Sequence, residues 1–251
     1  MRIALRPVFT AAAFISFATA AGAQRVPDVI GDYTIAGTAG GARYGGTASL
    51  RKIGGDMYSA TYVTGSRNWP GFCFRDGATL SCASCPQPGI PTVTAYLASA
   101  KGMDGMFFSS GNTLAGKEVL TPKGYRVGTK EVQANAGQMN PTTFVGEFDS
   151  KGTNPDGSAY TGIASVKQLV AVSPNAYLFD LVIRGNRMHN VGVRDATRPI
   201  FAVGNCQGRS GGMLAAIIYS IDEKGRILTG SWTQEINGVV TVGTEILSRA
   251  R

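Results

Sequence analysis

The chain repeats itself, and that repeat limits the fold more than any other feature. Residues 31–52 read GDYTIAGTAGGARYGGTASLRK and residues 146–168 read GEFDSKGTNPDGSAYTGIASVKQ. Gly31, Gly37, Thr38, Tyr44, Gly46, Ala48, Ser49, Leu50 and Arg51 meet Gly146, Gly152, Thr153, Tyr160, Gly162, Ala164, Ser165, Val166 and Lys167, with one extra residue in the Asn154-Pro155-Asp156-Gly157 turn. Weaker echoes follow in the same order. Tyr58 meets Tyr177, Phe74-Arg75-Asp76 meets Val193-Arg194-Asp195, Tyr96 meets Tyr219, and Gly116-Lys117-Glu118-Val119-Leu120 meets Gly243-Thr244-Glu245-Ile246-Leu247. Ordered matches with a growing offset indicate duplication. They divide the chain into units at 31–120 and 146–247, joined by a linker at 121–145 that is rich in Gly and Pro. Each unit is long enough for a small core of its own.

Within a unit the texture is β. Ala48–Ile53, Tyr58–Val63, Tyr177–Ile183, Leu214–Ile221 and Gly238–Leu247 are rich in Val, Ile, Thr and Tyr. Gly54-Gly55-Asp56, Asp76-Gly77, Arg184-Gly185-Asn186, Lys224-Gly225 and Asn237-Gly238 separate such runs, and Asp-Gly and Asn-Gly pairs mark tight hairpins. With 34 glycines and only 16% charged residues, neither a long-helix protein nor a charge-driven disordered chain fits. Short connections between consecutive strands favour an antiparallel meander closing on itself, which removes exposed edges. The expected fold is all-β: two tandem duplicated antiparallel meander β-barrels, or barrel-like sandwiches.

The Gly-Asp-Tyr…Gly-Thr…Tyr-x-Gly opening and the Gly-x-Glu-Val/Ile-Leu ending resemble those of a largely uncharacterised family of secreted bacterial repeat proteins, sometimes labelled fibronectin-binding. The layout also resembles the small avidin-type and lipocalin-type meander barrels. The first resemblance implies an exported binding module and the second a barrel with a ligand mouth. Neither carries over any binding residue.

Residues 1–23 have a basic start, an apolar run from Val8 to Ala21 and small residues at Ala21 and Ala23 before Gln24. That is the pattern of a secretory signal peptide, so the expected location is periplasmic or secreted. No later run reaches the length of a membrane-spanning helix. Arg2 and Arg6 leave with the leader, so the formal excess of positive charge falls from eight to six. The remaining cations are scattered, with Arg51-Lys52 the densest patch, so nucleic acid is not an expected partner.

Cys73, Cys82, Cys85 and Cys206 follow the leader, and an even number in an exported chain reads first as disulfides. Three lie in the first unit, so full pairing requires one bond between units. Cys73 and Cys82 flank a hairpin signal, which favours Cys73–Cys82 with Cys85–Cys206. A redox role for Cys82-Ala83-Ser84-Cys85-Pro86 would need a helix start to activate the thiol, and none is legible nearby. With one histidine in the chain, a zinc site lacks its ligands, and Pro86 stands where haem attachment requires His. No cofactor or metal is expected.

Nucleophilic catalysis would have to use His189, which lies in a turn-rich stretch and is not duplicated. The Gly208-Arg209-Ser210-Gly211-Gly212 segment lacks the spacing of a nucleophile elbow. The duplicated acids Asp76 with Asp195 and Glu118 with Glu245 are the better enzymatic candidates, because glycoside hydrolysis needs paired carboxylates. Turn and strand positions favour structural roles for all four. Most aromatics belong to cores; Trp69, read as a loop residue beside Pro70-Gly71, is the best candidate for ligand contact, and the duplicated Arg75 and Arg194 are further binding candidates. The chain is therefore expected to be a non-catalytic binding or envelope-interaction protein. Its partner would be a small molecule, a glycan or an extracellular protein. An envelope hydrolase using paired carboxylates and a purely structural module are the competing readings.

Overall fold

The computed structural model describes residues 28–87, 90–111, 113–124, 144–195, 198–207, 213–236 and 239–250. The expected leader at 1–23, the Ser210 glycine cluster, the expected Asn237-Gly238 turn and most of segment 121–145 lie outside the described residues. Among the described residues there is no helix, and sixteen strands form two closed eight-stranded barrels. Barrel 1 comprises β1 (Gly31–Ala39), β2 (Ala42–Gly54), β3 (Met57–Thr64), β4 (Arg67–Asp76), β5 (Thr79–Gln87), β6 (Ile90–Ser99), β7 (Gly102–Ser109) and β8 (Leu114–Pro122). Barrel 2 comprises β9 (Gly146–Thr153), β10 (Ala159–Gln168), β11 (Ala176–Ile183), β12 (Asn186–Arg194), β13 (Ile200–Gln207), β14 (Met213–Ile221), β15 (Ile227–Ile236) and β16 (Val239–Arg249). Each strand pairs antiparallel with the next, and β1 with β8 and β9 with β16 close the rings. Closure leaves no unpaired edge in either sheet.

The turn chemistry follows the backbone. Arg184 and Gly185 both hold positive φ, 50° and 79°, as a two-residue hairpin of the primed type requires. The pleat then sorts side chains: Tyr33 and Ile35 face inward while Asp32, Thr34 and Ala36 face out. Registers match between copies. Leu50 opposes Ala60 as Val166 opposes Phe179, and Tyr96 opposes Gly105 as Tyr219 opposes Gly230.

Much of the duplicated glycine serves aromatic rings. A Cβ on Gly37, Gly105 or Gly116 would fall under 3.0 Å from a ring atom of Tyr44, Tyr96 or Phe107, and one on Gly152, Gly230 or Gly243 would do the same to Tyr160, Tyr219 or Trp232. Glycine inside a strand weakens it unless something uses the vacated space, and here a ring lies across each one. The segment before each barrel also tucks under it. Gly31 and Gly146 sit at φ +156° and +130°, which lets the chain turn so that Val29 and Phe144, both two residues upstream, enter the cores. The Tyr33 hydroxyl donates to the Val29 carbonyl at 2.8 Å, while the Phe144 ring centroid lies 4.8 Å from that of Tyr177 and 5.0 Å from that of Phe201.

The barrels also share two apolar seams. Outward side chains Val93, Ala95 and Phe108 pack with Ala176, Val191, Val193 and Ala202. Phe72, Phe74 and Ala83 pack with Ala216 and Ile218. Burying each large side chain contributes about 1.5–3 kcal/mol, so the contact between barrels is stabilising in its own right. Gly204 admits the close approach, since a Cβ there would meet Val93 and Ala83 at 3.0–3.1 Å. Two further links fix the relative direction of the barrels. Cys85 is bonded to Cys206 toward one end, and Arg198 donates to the Thr79 hydroxyl at 2.8 Å toward the other. The plugged ends therefore lie on the same side of the molecule.

Candidate functional site

Barrel 1 is hollow. A cavity of about 390 Å³ runs from Glu118 to a rim that includes Ala39, Gly65 and Leu114, away from the Val29 plug. That volume is within the usual range for small-molecule sites. Four rings line it: Tyr44 from β2, Tyr62 from β3, Trp69 from β4 and Phe107 from β7. Ser84, Thr92, Thr94 and Ser109 add hydroxyls, and Glu118 of β8 is the single ionised-type side chain in the lining.

Glu118 is 8% exposed. Its Oε2 accepts a hydrogen bond from the Tyr44 hydroxyl at 2.6 Å and its Oε1 one from the Tyr96 hydroxyl. Burial pushes its carboxyl above the usual carboxylate range, and the hydroxyls of Tyr44, Tyr96 and Thr94 pull part of the way back. No cation is among the groups acting on it. Burial and the nearby carboxyl also raise the phenols of Tyr44, Tyr62 and Tyr96, so they remain hydrogen-bond donors. Beneath the cavity, Cys73 and Cys82 form a disulfide between directly opposed residues of β4 and β5. Its Cys73 sulfur lies 3.7 Å from the Tyr62 hydroxyl.

Barrel 2 repeats the carboxyl cluster without the space. Glu245 accepts from Ser150 and Tyr219, Tyr160 also bonds to it, and burial raises its carboxyl too. The Tyr160 hydroxyl in turn accepts from the Trp232 indole at 2.9 Å. By strand register, Ala60, Leu80, Thr94 and Phe107 of barrel 1 correspond to Phe179, Phe201, Ile217 and Trp232 of barrel 2. Phe179, Phe201 and Tyr219 lie with ring centroids 5.8–6.2 Å apart and fill that interior.

The residues singled out from sequence are dispersed. Trp69 is on strand β4 rather than in a loop, packed against the core, and its buried indole nitrogen has no hydrogen-bond partner among the described residues. Arg75, which donates to the Gly77 carbonyl at 2.7 Å, and Arg194 occupy matching places toward the plugged ends, far from the rim. Arg194 is 2% exposed, bonds to Tyr177 and helps hold that phenol at about 12 against a larger upward push from burial. His189 is on the outer face, 2.7 Å from Asp180. Asp76 is exposed at its turn, and Asp195 is bonded to Arg198. Glu118 and Glu245 sit in separate barrels, each bonded to its own tyrosines, so neither duplicated acid pair flanks a common bond.

Sequence reasoning missed the convergence of Tyr44, Tyr96 and Glu118 and the part played by Phe107. The signal was present: three duplicated polar residues, with Gly116, Glu118 and Leu120 on one face of a strand ending in the core. No family model and no curated protein matches this chain. Among solved structures, it is similar to a protein of unknown function of the DUF3598 family from Nostoc punctiforme, at 9% identity, covering 88% of this chain and 96% of that one with a TM-score of 0.33. It is also similar to EF1p2_mFAP2b bound to DFHBI, at 14% identity over 45% of this chain and 98% of that one, TM-score 0.35. A transferrin-binding protein B variant from Haemophilus parasuis matches at 8% identity over 82% of this chain and 65% of that one, TM-score 0.25.

Proposed function

We propose that this is an exported binding protein whose barrel 1 takes a small, largely apolar molecule, with barrel 2 as a filled support. The cavity carries the reading: one copy of a duplicated barrel keeps about 390 Å³ lined by four rings and six polar side chains, while the interior of its twin is packed with Phe179, Phe201, Ile217 and Tyr219. Cores normally pack without voids, and a large gap retained beside a filled copy of the same design fits a ligand's volume. Two disulfides and a leader-like first segment support an oxidising compartment. Units 31–120 and 146–247, with a cleaved leader at 1–23, remain our reading of the chain's division.

The test is fluorescence titration with N-phenyl-1-naphthylamine, a neutral apolar probe that brightens out of water. The protein should bind it saturably at one site. The double variant Ala60→Phe, Thr94→Ile places barrel 2 side chains in barrel 1 and should abolish binding with an unchanged circular dichroism spectrum. Equal binding by the filled variant, or none by the parent, would overturn the reading in favour of a structural module.

A further inference from the structure

We infer that the barrel 1 cavity selects an organic cation, a substituted ammonium on an apolar body, with Glu118 as its counter-ion and Tyr44, Tyr62, Trp69 and Phe107 as its aromatic walls. The inference rests on the cavity being a ligand site and goes on to name the chemistry of the ligand.

Three observations converge. Among the described residues Glu118 is the only charged-type residue lining the cavity, with no Lys, Arg or His beside it, so no described cation pairs with its ionised form. An isolated buried carboxylate is costly and is normally paired. Four aromatic side chains line the space, and a cation against aromatic faces gains from their quadrupoles, more so where water is excluded.

The copy in barrel 2 supplies the contrast. There Ser150 is the carboxyl's third hydroxyl partner, at 2.5 Å, as Thr94 is for Glu118, and the Tyr160 hydroxyl is itself capped by Trp232. Barrel 1 has Ile35 at the Ser150 position and Phe107 at the Trp232 position. Each carboxyl thus keeps three hydroxyl partners, and the exchange at Phe107 removes the indole bond to the tyrosine hydroxyl where Tyr44 and Phe107 line the cavity. The tyrosine–glutamate arrangement is therefore common to both barrels and structural in origin, but in barrel 1 the carboxyl lines the cavity, while rings pack the barrel 2 interior.

The groups facing Glu118 are Tyr44 from β2, Tyr62 from β3, and Thr94 and Tyr96 from β6. The three phenols stay protonated far above neutral pH, which leaves Glu118 as the group of this cluster whose charge a bound cation favours. Binding a cation stabilises its ionised form. Affinity therefore rises with pH until Glu118 is ionised in the free protein, and below that point binding releases a proton.

The experiment uses Trp232→Phe, which leaves Trp69 as the sole tryptophan of two, and a matched pair of probes: phenyltrimethylammonium and its neutral isostere tert-butylbenzene. Quenching of Trp69 should show the cation binding about tenfold more tightly than the isostere at pH 8. Glu118→Gln, which keeps the shape and one of the two acceptor oxygens, should erase that preference and the pH dependence of cation binding. Equal affinity for both probes, or a cation preference that survives Glu118→Gln, overturns the inference. If N-phenyl-1-naphthylamine still occupies the cavity in that case, the binding reading stands and only the ligand class falls; failure of every probe removes both.

Discussion

Barrels 1 and 2 share strand count, register, plug and the glycine-backed rings, yet one encloses space and the other does not. The difference lies at inward positions that include small or polar Ala60 and Thr94 against Phe179 and Ile217, and a cross-strand disulfide at Cys73–Cys82 against Gly192 and Val203. A closed barrel carries its backbone hydrogen bonds in the wall, so its interior can change size without altering the wall. The disulfide supplies in barrel 1 part of the cross-strand restraint that aromatic packing supplies in barrel 2.

The largest expected effect concerns what holds the copies together. Replacing Cys85 and Cys206 by Ser opens a link spanning 121 residues and should cost about 4–5 kcal/mol by loop entropy, against about 3 kcal/mol for Cys73 and Cys82, nine apart. Urea denaturation of the two double variants measures the gap; a larger loss from the short loop would break the comparison. Next, Phe179→Ala should cost about 3–5 kcal/mol because the ring is enclosed on all sides. Phe107→Ala should cost less than half as much, since part of that ring faces the cavity. Similar denaturation midpoints for these two would mean that barrel 1 is not hollow in solution.

The carboxyls predict a pH effect common to both barrels. Burial raises Glu118 and Glu245 above 4.5 in the folded state, so between that value and the raised ones the folded state holds more protons than the unfolded one. Stability then falls as pH rises through this window, by up to about 1.4 kcal/mol per unit for each group. Glu245→Gln and Glu118→Gln should each flatten the slope in thermal denaturation from pH 4.5 to 8; a slope unchanged in both variants would refute it. The smallest effect is at Trp232→Phe, which removes the bond to Tyr160 and should lower stability by about 1 kcal/mol. No loss at all would show that Tyr160 needs no such cap.

Duplication, strand content and hairpin turns were legible because they are local: Gly at positive φ and alternating Tyr, Val and Thr act within a few residues. Trp69 was misplaced because Pro70-Gly71 reads as a breaker, whereas Pro70 pairs with Thr61 inside β4 and Gly71 makes room for the Tyr62 ring. The shared seam left a trace that went unread. Along β6 nearly every residue is buried, inward and outward alike, and Leu214–Ile221 is apolar without alternation, the mark of a strand covered on both faces. β1, open to solvent outside, alternates.

From residue order alone came two copies, their β character, their turns and the list of paired Gly, Tyr and Glu positions, since each depends on backbone preference or on likeness along the chain. Which barrel is hollow, which face each copy turns to the other and which hydroxyls meet Glu118 were settled only in three dimensions. Free volume belongs to no residue: it is what remains when side chains from eight strands fail to meet, and their distance along the chain hides that sum until the ring is closed.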